Sequence, residues 1–263
     1  MNALQAFVLG LVQGIGEFLP ISSSGHLMLA QKTMGFDTGN MLTLNVLLHL
    51  ATLVAVFIVY WKQFWEMLRH PLKSDLWLLV VATIPAVIAA LVFDFDAAFE
   101  GAFLGWSFLL TSVVLVAAEW LGKRHERAVK KVQPKHAVAM GVMQAVAILP
   151  GLSRSGSTIA GGMASGLSRK RAADFSFMMS APAILGSAVL ELKKILDGEA
   201  MLAAEASVMS VVIAVVVAGV SGYLAIRFML RIIRRISLNW FALYTAILGF
   251  VVLADKYIFH WFA

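Results

Sequence analysis

Cysteine is absent from the 263 residues of the chain, which excludes disulfides, thiolate metal sites and cysteine nucleophiles. Charge is scarce: Asp, Glu, Lys and Arg make up 14% of the residues, against about 25% in soluble domains. No Lys or Arg precedes the first apolar run, the first being Lys32, and Glu17 interrupts that run. A cleaved signal peptide is therefore not expected. Basic residues outnumber acidic ones 21 to 15, but their placement between apolar runs points to topology and not to a nucleic-acid partner.

What the chain has instead is apolar length: 60% of it is hydrophobic. Crossing a hydrocarbon core of about 30 Å takes roughly 20 helical residues. Runs of that kind lie at 44–61, 76–93, 102–121, 175–192, 207–230 and 240–259. Two further apolar stretches, 3–30 and 137–165, are broken by Pro, Gly and Ser. Lys and Arg number 16 in loops 62–75, 122–136, 168–174 and 227–237, and 4 in 31–43, 94–101, 193–206 and 255–263. The first set is expected in the cytoplasm, with both termini outside. That holds only if each broken segment enters and leaves on one side of the membrane.

A shift of 131 residues aligns the two broken segments without a gap: 10–25 reads GLVQGIGEFLPISSSG and 141–156 reads GVMQAVAILPGLSRSG. Each copy is followed by three apolar helices, and the charge count gives the copies opposite orientation. The expected fold is an all-α polytopic membrane protein with six transmembrane helices and two re-entrant broken-helix segments, arranged as an inverted-topology internal repeat. It forms one integral membrane domain over 1–263, with repeat 1 at about 1–125 and repeat 2 at about 132–263. Such repeats place their site at the repeat interface.

Gly10, Gln13, Gly14 and Glu17 share a helical face. That helix should end near Pro20, leaving Ser22-Ser23-Ser24-Gly25 as a turn and His26 at the next helix start. An acid at bilayer depth costs at least ~2.5 kcal/mol and usually faces a cavity and a partner. In the second copy, Ser153-Arg154-Ser155-Gly156-Ser157 precedes a helix. Backbone N–H groups there can cradle an anion, and Arg154 offers a planar fork for phosphate oxygens. No Walker lysine follows either glycine turn.

The copies differ where chemistry would require it: Glu17 aligns with Ile148, Ser23 with Arg154 and His26 with Ser157. One composite phosphate site explains this better than two equivalent ones. A divalent hard cation, Mg²⁺ or Ca²⁺, held through Glu17 and the Gln13 amide oxygen, would let an acid stand beside a diphosphate. His26 suits acid–base work and Ser23 or Ser22 could be the nucleophile, while direct attack by water fits equally well. Asn45 and His49 lie one turn apart and are placed either to line the cavity or to bond between helices. Glu119 and Glu191 read as interfacial; Trp61, Trp120, Trp240 and Tyr257 read as an aromatic belt.

The stretches Gln13-GIG-Glu17-FLPISSSGH and Gln144-AVAILPGLSRSGSTIAGGM closely resemble the undecaprenyl-diphosphate phosphatase family of bacterial membrane proteins, also called the bacitracin-resistance protein family. The resemblance covers essentially the whole chain. It implies removal of the terminal phosphate from a polyprenyl diphosphate lipid, to recycle the cell-wall lipid carrier in the bacterial inner membrane, with a site open to the periplasm. It further implies an acidic motif at Gln13 and Glu17, a catalytic loop with Ser22, Ser23 and His26, a diphosphate grip at Arg154, and Mg²⁺ or Ca²⁺. Many members carry Glu where this chain has Gln13. Ser24, Gly25, Ser153, Ser155, Gly156, Ser157 and Asn45 complete the expected substrate-binding set. Membrane lipids surround the chain, and a homodimer is left open. The rival reading is a carrier or flippase for a phosphorylated polyprenyl lipid, since broken inverted repeats are transporter architecture.

Overall fold

The computed structural model describes residues 1–36, 41–71, 74–93, 101, 103–124, 129, 131–196, 207–233 and 235–259, without the side chains of 123, 124, 191 and 194–196. Among these residues the regular structure is helical: α1 (Ala3–Phe18), α2 (Ser23–Thr33), α3 (Leu42–Val59), α4 (Trp61–Arg69), α5 (Leu76–Val92) and α6 (Leu104–Arg124), then α7 (Pro134–Val146), α8 (Arg154–Ala164), α9 (Arg169–Leu196), α10 (Val208–Ile232) and α11 (Asn239–Ala254). A short π-helical turn, Asp255–Phe259, continues α11. Stretches within α3, α6, α9, α10 and α11 with its π turn are long and apolar enough to cross a membrane, whereas α5 is apolar but shorter at 17 residues. The chain is a multi-pass, all-helical membrane protein.

Both broken segments are helix pairs. Asn2 caps α1 and Gln5 reaches back to it, a reciprocal capping box that satisfies two end N–H groups. The chain leaves the helix at Leu19, before Pro20, and re-enters at Ser23. α7 begins with Pro134 in its first turn, where a missing N–H costs nothing. α1 and α7 start 131 residues apart, and so do α2 and α8. Ser23, Ser24 and Gly25 form the first turn of α2 instead of standing free ahead of it, because Ser22 already caps the helix.

Lipid tails are as apolar as leucine, so close packing of small residues holds membrane helices together. Gly10 and Gly14 of α1 face Ala214, Ala218 and Gly222 of α10, and Gly141 of α7 faces Ala82 of α5. The first helix of each half therefore lies on the fourth long helix, α10 or α5, of the other half. α6 also packs on α11, and α3 on α9. Beneath the crossing of the loops, Phe18 meets Phe177 edge to face at 5.5 Å, within a core that includes Leu115, Met140 and Ile159.

Two expectations about polar residues change. Glu119, expected at the interface, is buried: it accepts from Arg169 Nη2 at 2.8 Å and from the Leu238 N–H at 3.1 Å, just ahead of α11. Its partners are 50 and 119 positions away, beyond the reach of local pattern. The stretch 62–75, counted as a loop, contains most of α4, whose exposed Trp61 and Trp65 stack at 5.5 Å. Trp61, Trp120, Trp240 and Tyr257 are all exposed. The Glu191 side chain and Arg234 lie outside the described residues.

A Cβ added to Gly14 would come within 1.9 Å of Ser221 Oγ and 2.6 Å of the Ala218 carbonyl oxygen, whereas one added to Gly186 meets nothing within 4 Å. Gly14→Ala is expected to cost about 3 kcal/mol through overpacking, lowering the melting temperature in detergent by roughly 6–12 °C. Gly186→Ala should leave it within a few degrees, and equal melting of the two variants would show that the crossing is not tight.

Candidate functional site

Glu17 closes the last turn of α1 and is 5% exposed. Leaving a carboxylate bare at such a place would cost several kcal/mol, and the fold surrounds it with donors. Arg154, the first residue of α8, gives Nη2 to Oε1. Gln13, one turn back on α1, gives Nε2 to Oε2 at 3.0 Å, and Ser23 Oγ donates to the same oxygen at 2.6 Å. That length is typical of a hydroxyl bonded to an ionised carboxylate. Gly16 makes the contact attainable: a Cβ there would sit 3.0 Å from Ser23 Cα, so α1 and α2 nearly touch at their shared turn.

The two loops meet back to back. A Cβ on Gly25 would lie 2.6 Å from Phe108 Cζ and 2.8 Å from Gly151 Cα, so only glycine permits the crossing. Ser155 Oγ donates to the Leu19 carbonyl at 3.0 Å, stitching one loop to the other. Matched serines cap the matched helices: the Gly25 N–H donates to Ser22 Oγ at 3.4 Å, and the Gly156 N–H to Ser153 Oγ at 3.0 Å. The backbones differ, however. Ser22 holds φ at +73°, whereas in the second loop Gly151 takes the positive angle, +89°. A non-glycine residue there is strained by roughly 1–3 kcal/mol, and such strain gathers at functional sites.

Several expected anion donors are committed inside the protein. The Ser153 N–H donates to Thr111 Oγ1 at 2.9 Å, and Thr111 Oγ1 donates to the Gly151 carbonyl at 2.9 Å. Ser153 and Ser155 share a 3.3 Å contact, and Ser22 and Ser24 one of 3.4 Å. Among the described residues, Arg154 Nη1, Gln13 Oε1 and Ser157 Oγ, all from the two broken segments, are buried without a hydrogen-bond partner.

His26 is tied elsewhere. Its Nδ1 meets the Ser22 carbonyl at 2.7 Å and its Nε2 the Tyr244 hydroxyl at 2.7 Å. Asn45 turns its side-chain oxygen to Gln31 Nε2 at 2.7 Å, and its carbonyl takes His49 Nδ1 at 2.7 Å. That leaves His49 Nε2 facing Glu17 Oε2 at 3.6 Å. The structure thus gathers Gln13, Glu17, Ser23 and Arg154, adds His49, and keeps His26 and Asn45 in neighbouring bonds. Thr111 and Tyr244 were not singled out by the sequence. Thr111 reaches a loop 40 residues away, which no local pattern reveals. Tyr244 carried one hint: a phenol five residues into an apolar span.

Comparison with known proteins identifies the family. The family model described as bacitracin resistance protein BacA matches residues 6–251. The undecaprenyl-diphosphatase of Carboxydothermus hydrogenoformans is 41% identical over 259 residues, covering 96% of this chain and 97% of that protein. Undecaprenyl-diphosphatase 4 of Bacillus thuringiensis is 39% identical over 260 residues, 98% of each chain. The undecaprenyl-diphosphatase of Methanosphaera stadtmanae is 36% identical over 283 aligned positions, 96% of this chain and 98% of that one. With both loops and nearly every helix inside the matched region, the chain belongs to the bacitracin resistance protein family.

Proposed function

We propose that the chain is an undecaprenyl-diphosphate phosphatase, which hydrolyses the terminal phosphate of the lipid diphosphate to give the lipid monophosphate and inorganic phosphate. The observation that carries this reading is the meeting, in one buried place, of a carboxylate, a hydroxyl bonded to it and a guanidinium from the opposite loop. A carrier needs the guanidinium but has less use for a serine whose proton is directed at a carboxylate. The reaction recycles the lipid carrier of cell-wall synthesis.

The finer architecture belongs to the same proposal. Six spans and two re-entrant pairs, α1–α2 and α7–α8, form an inverted repeat in the bacterial inner membrane with both termini in the periplasm. Its support is the 131-residue spacing of the helix pairs, the exchanged packing of α1 on α10 and α7 on α5, and the loop charges. A lipid whose head group lies at the membrane face reaches such a site with its tail still in the bilayer.

In the reaction, Arg154 binds the terminal phosphate through Nη1 and stabilises the charge that gathers on it. Ser23 Oγ attacks phosphorus and passes its proton to Glu17. A phosphoserine forms as the bond to the lipid monophosphate oxygen breaks; water then attacks phosphorus, the P–Oγ bond breaks as Ser23 Oγ recovers its proton from Glu17, and inorganic phosphate leaves. The donors at the site also fit a hard divalent cation. Glu17 and the Gln13 carbonyl oxygen, which is buried without a partner among the described residues, would hold Mg²⁺ or Ca²⁺ together with phosphate oxygens. Among the described residues no three carboxylates or imidazoles gather to bind one without substrate. When bound, the cation neutralises phosphate charge.

Purified protein in detergent with Mg²⁺ should release phosphate from undecaprenyl diphosphate, and release no faster than in a protein-free control would sink the enzyme reading. Arg154→Ala is expected to lose at least ~100-fold in turnover while eluting as a folded species. Unchanged kinetics would remove Arg154 from the site. Ser23→Ala should be inactive, and rapid quenching of the unmodified enzyme should trap a phosphoserine. Substantial activity in Ser23→Ala would instead assign the attack to water.

A further inference from the structure

His26 is held on three sides. Its Nδ1 lies 2.7 Å from the Ser22 carbonyl. A carbonyl oxygen can only accept, so Nδ1 carries hydrogen and the other tautomer would set two lone pairs against each other. Nε2 is then the nitrogen that gains and loses a proton, and it meets the Tyr244 hydroxyl at 2.7 Å. The two rings are also stacked, 13° from parallel with centroids 5.6 Å apart, while Phe108 closes the other side edge-on at 5.3 Å. Tyr244 comes from α11, 218 positions along the chain.

We propose that Tyr244 is a positioning residue for the reaction, acting through His26; this rests on the diphosphatase reading above. The phenol serves both protonation states of the ring. It donates to Nε2 when the imidazole is neutral and accepts from Nε2–H when it is charged, by rotation of one hydroxyl hydrogen. It therefore holds the aim of the ring, whose tautomer the Ser22 carbonyl sets, and a proton exchanged between Nε2 and water or a phosphate oxygen passes by way of the Tyr244 oxygen. Ser23 is bonded to Glu17, so His26 is free of the nucleophile, and the proton it would take is the one that water gives up when it attacks the phosphoserine. Position 113, which matches Tyr244 at the 131-residue offset, is Val, and Ser157 stands where the second copy would have its imidazole. The pair thus exists in one half only, as a single composite site requires.

The test uses the full chain in detergent. Tyr244→Phe keeps the stacked ring and removes the hydroxyl. It should lower kcat about tenfold, short of the 100-fold or more expected for losing the acid–base group itself, with KM unchanged. In a His26→Ala background the same substitution should change kcat by less than twofold. A tenfold loss that persists without His26, a loss confined to KM, or wild-type kcat in Tyr244→Phe would each overturn the proposal. A second readout is independent of turnover: ¹⁵N spectra of histidine-labelled protein, with the His26 signal identified by its loss in His26→Gln. Hydrogen on Nδ1 and a shift of the Nε2 resonance in Tyr244→Phe support the pairing, and an unmoved resonance refutes it. If unmodified protein releases no phosphate, the diphosphatase reading fails while the spectra still decide whether Tyr244 holds His26.

Discussion

The structure turns on one buried charge. Glu17 sits at the end of α1, away from water, and its cost is offset by Arg154, which arrives from the other half of the chain, together with hydrogen bonds from Gln13 and Ser23. Breaking such a pair by removing one partner typically costs 3–5 kcal/mol, since the survivor is left buried and unpaired. The two loops are therefore bound by electrostatics as well as by packing. Gly25 against Gly151 and Ser155 on the Leu19 carbonyl bring the backbones near enough for the pair to form. The same geometry sets Ser23 on the remaining carboxylate oxygen. A neutralised acid, a polarised hydroxyl and a guanidinium with a second arm left over thus follow from one arrangement.

That arrangement depends on helices that approach closely with nothing but small side chains between them. α1 can set Glu17 at this depth because Gly10 and Gly14 let it lie against α10, and Gly141 gives α7 the same freedom against α5. The halves are interlocked, each lending a surface to the other's broken helix. A site made at their interface needs both, and neither half carries both Glu17 and Arg154.

Much of this was legible in the sequence, for identifiable reasons. Long apolar runs have no alternative in a chain this poor in charge, so a helix lies at each of the six expected runs; five of these hold stretches long and apolar enough to cross a membrane, and α5 is shorter. The serine–glycine loops announced themselves because Pro, Gly and Ser interrupt apolar stretches at matching offsets. Harder to read were contacts between distant positions. Glu119 looked interfacial because it lies near a helix end, yet Arg169 and the Leu238 N–H enclose it. α4 passed as loop because nine residues of mixed polarity give no span. In the site, residue types pointed to His26 beside the serines, and it is there, but hydrogen-bond direction is a tertiary property. Its ring nitrogens go to Ser22 and Tyr244, and the imidazole facing Glu17 belongs to His49.

An Arg–Glu pair at the centre of the proposed phosphate site raises a difficulty: the guanidinium is already neutralised and has a second anion to bind. The geometry answers it. Arg154 spends Nη2 on Glu17 and keeps Nη1 buried without a partner among the described residues, and a guanidinium has five donors in a fixed fork. One arm can hold the carboxylate while the other takes a phosphate oxygen, so substrate need not first break the pair. Attraction to a dianionic phosphate would then draw charge away from Glu17, leaving its carboxylate less compensated and a better acceptor for the Ser23 proton. Binding and activation of the nucleophile would be coupled through one side chain. Such a coupling would require the guanidinium and the acid to come from loops that touch, as these do.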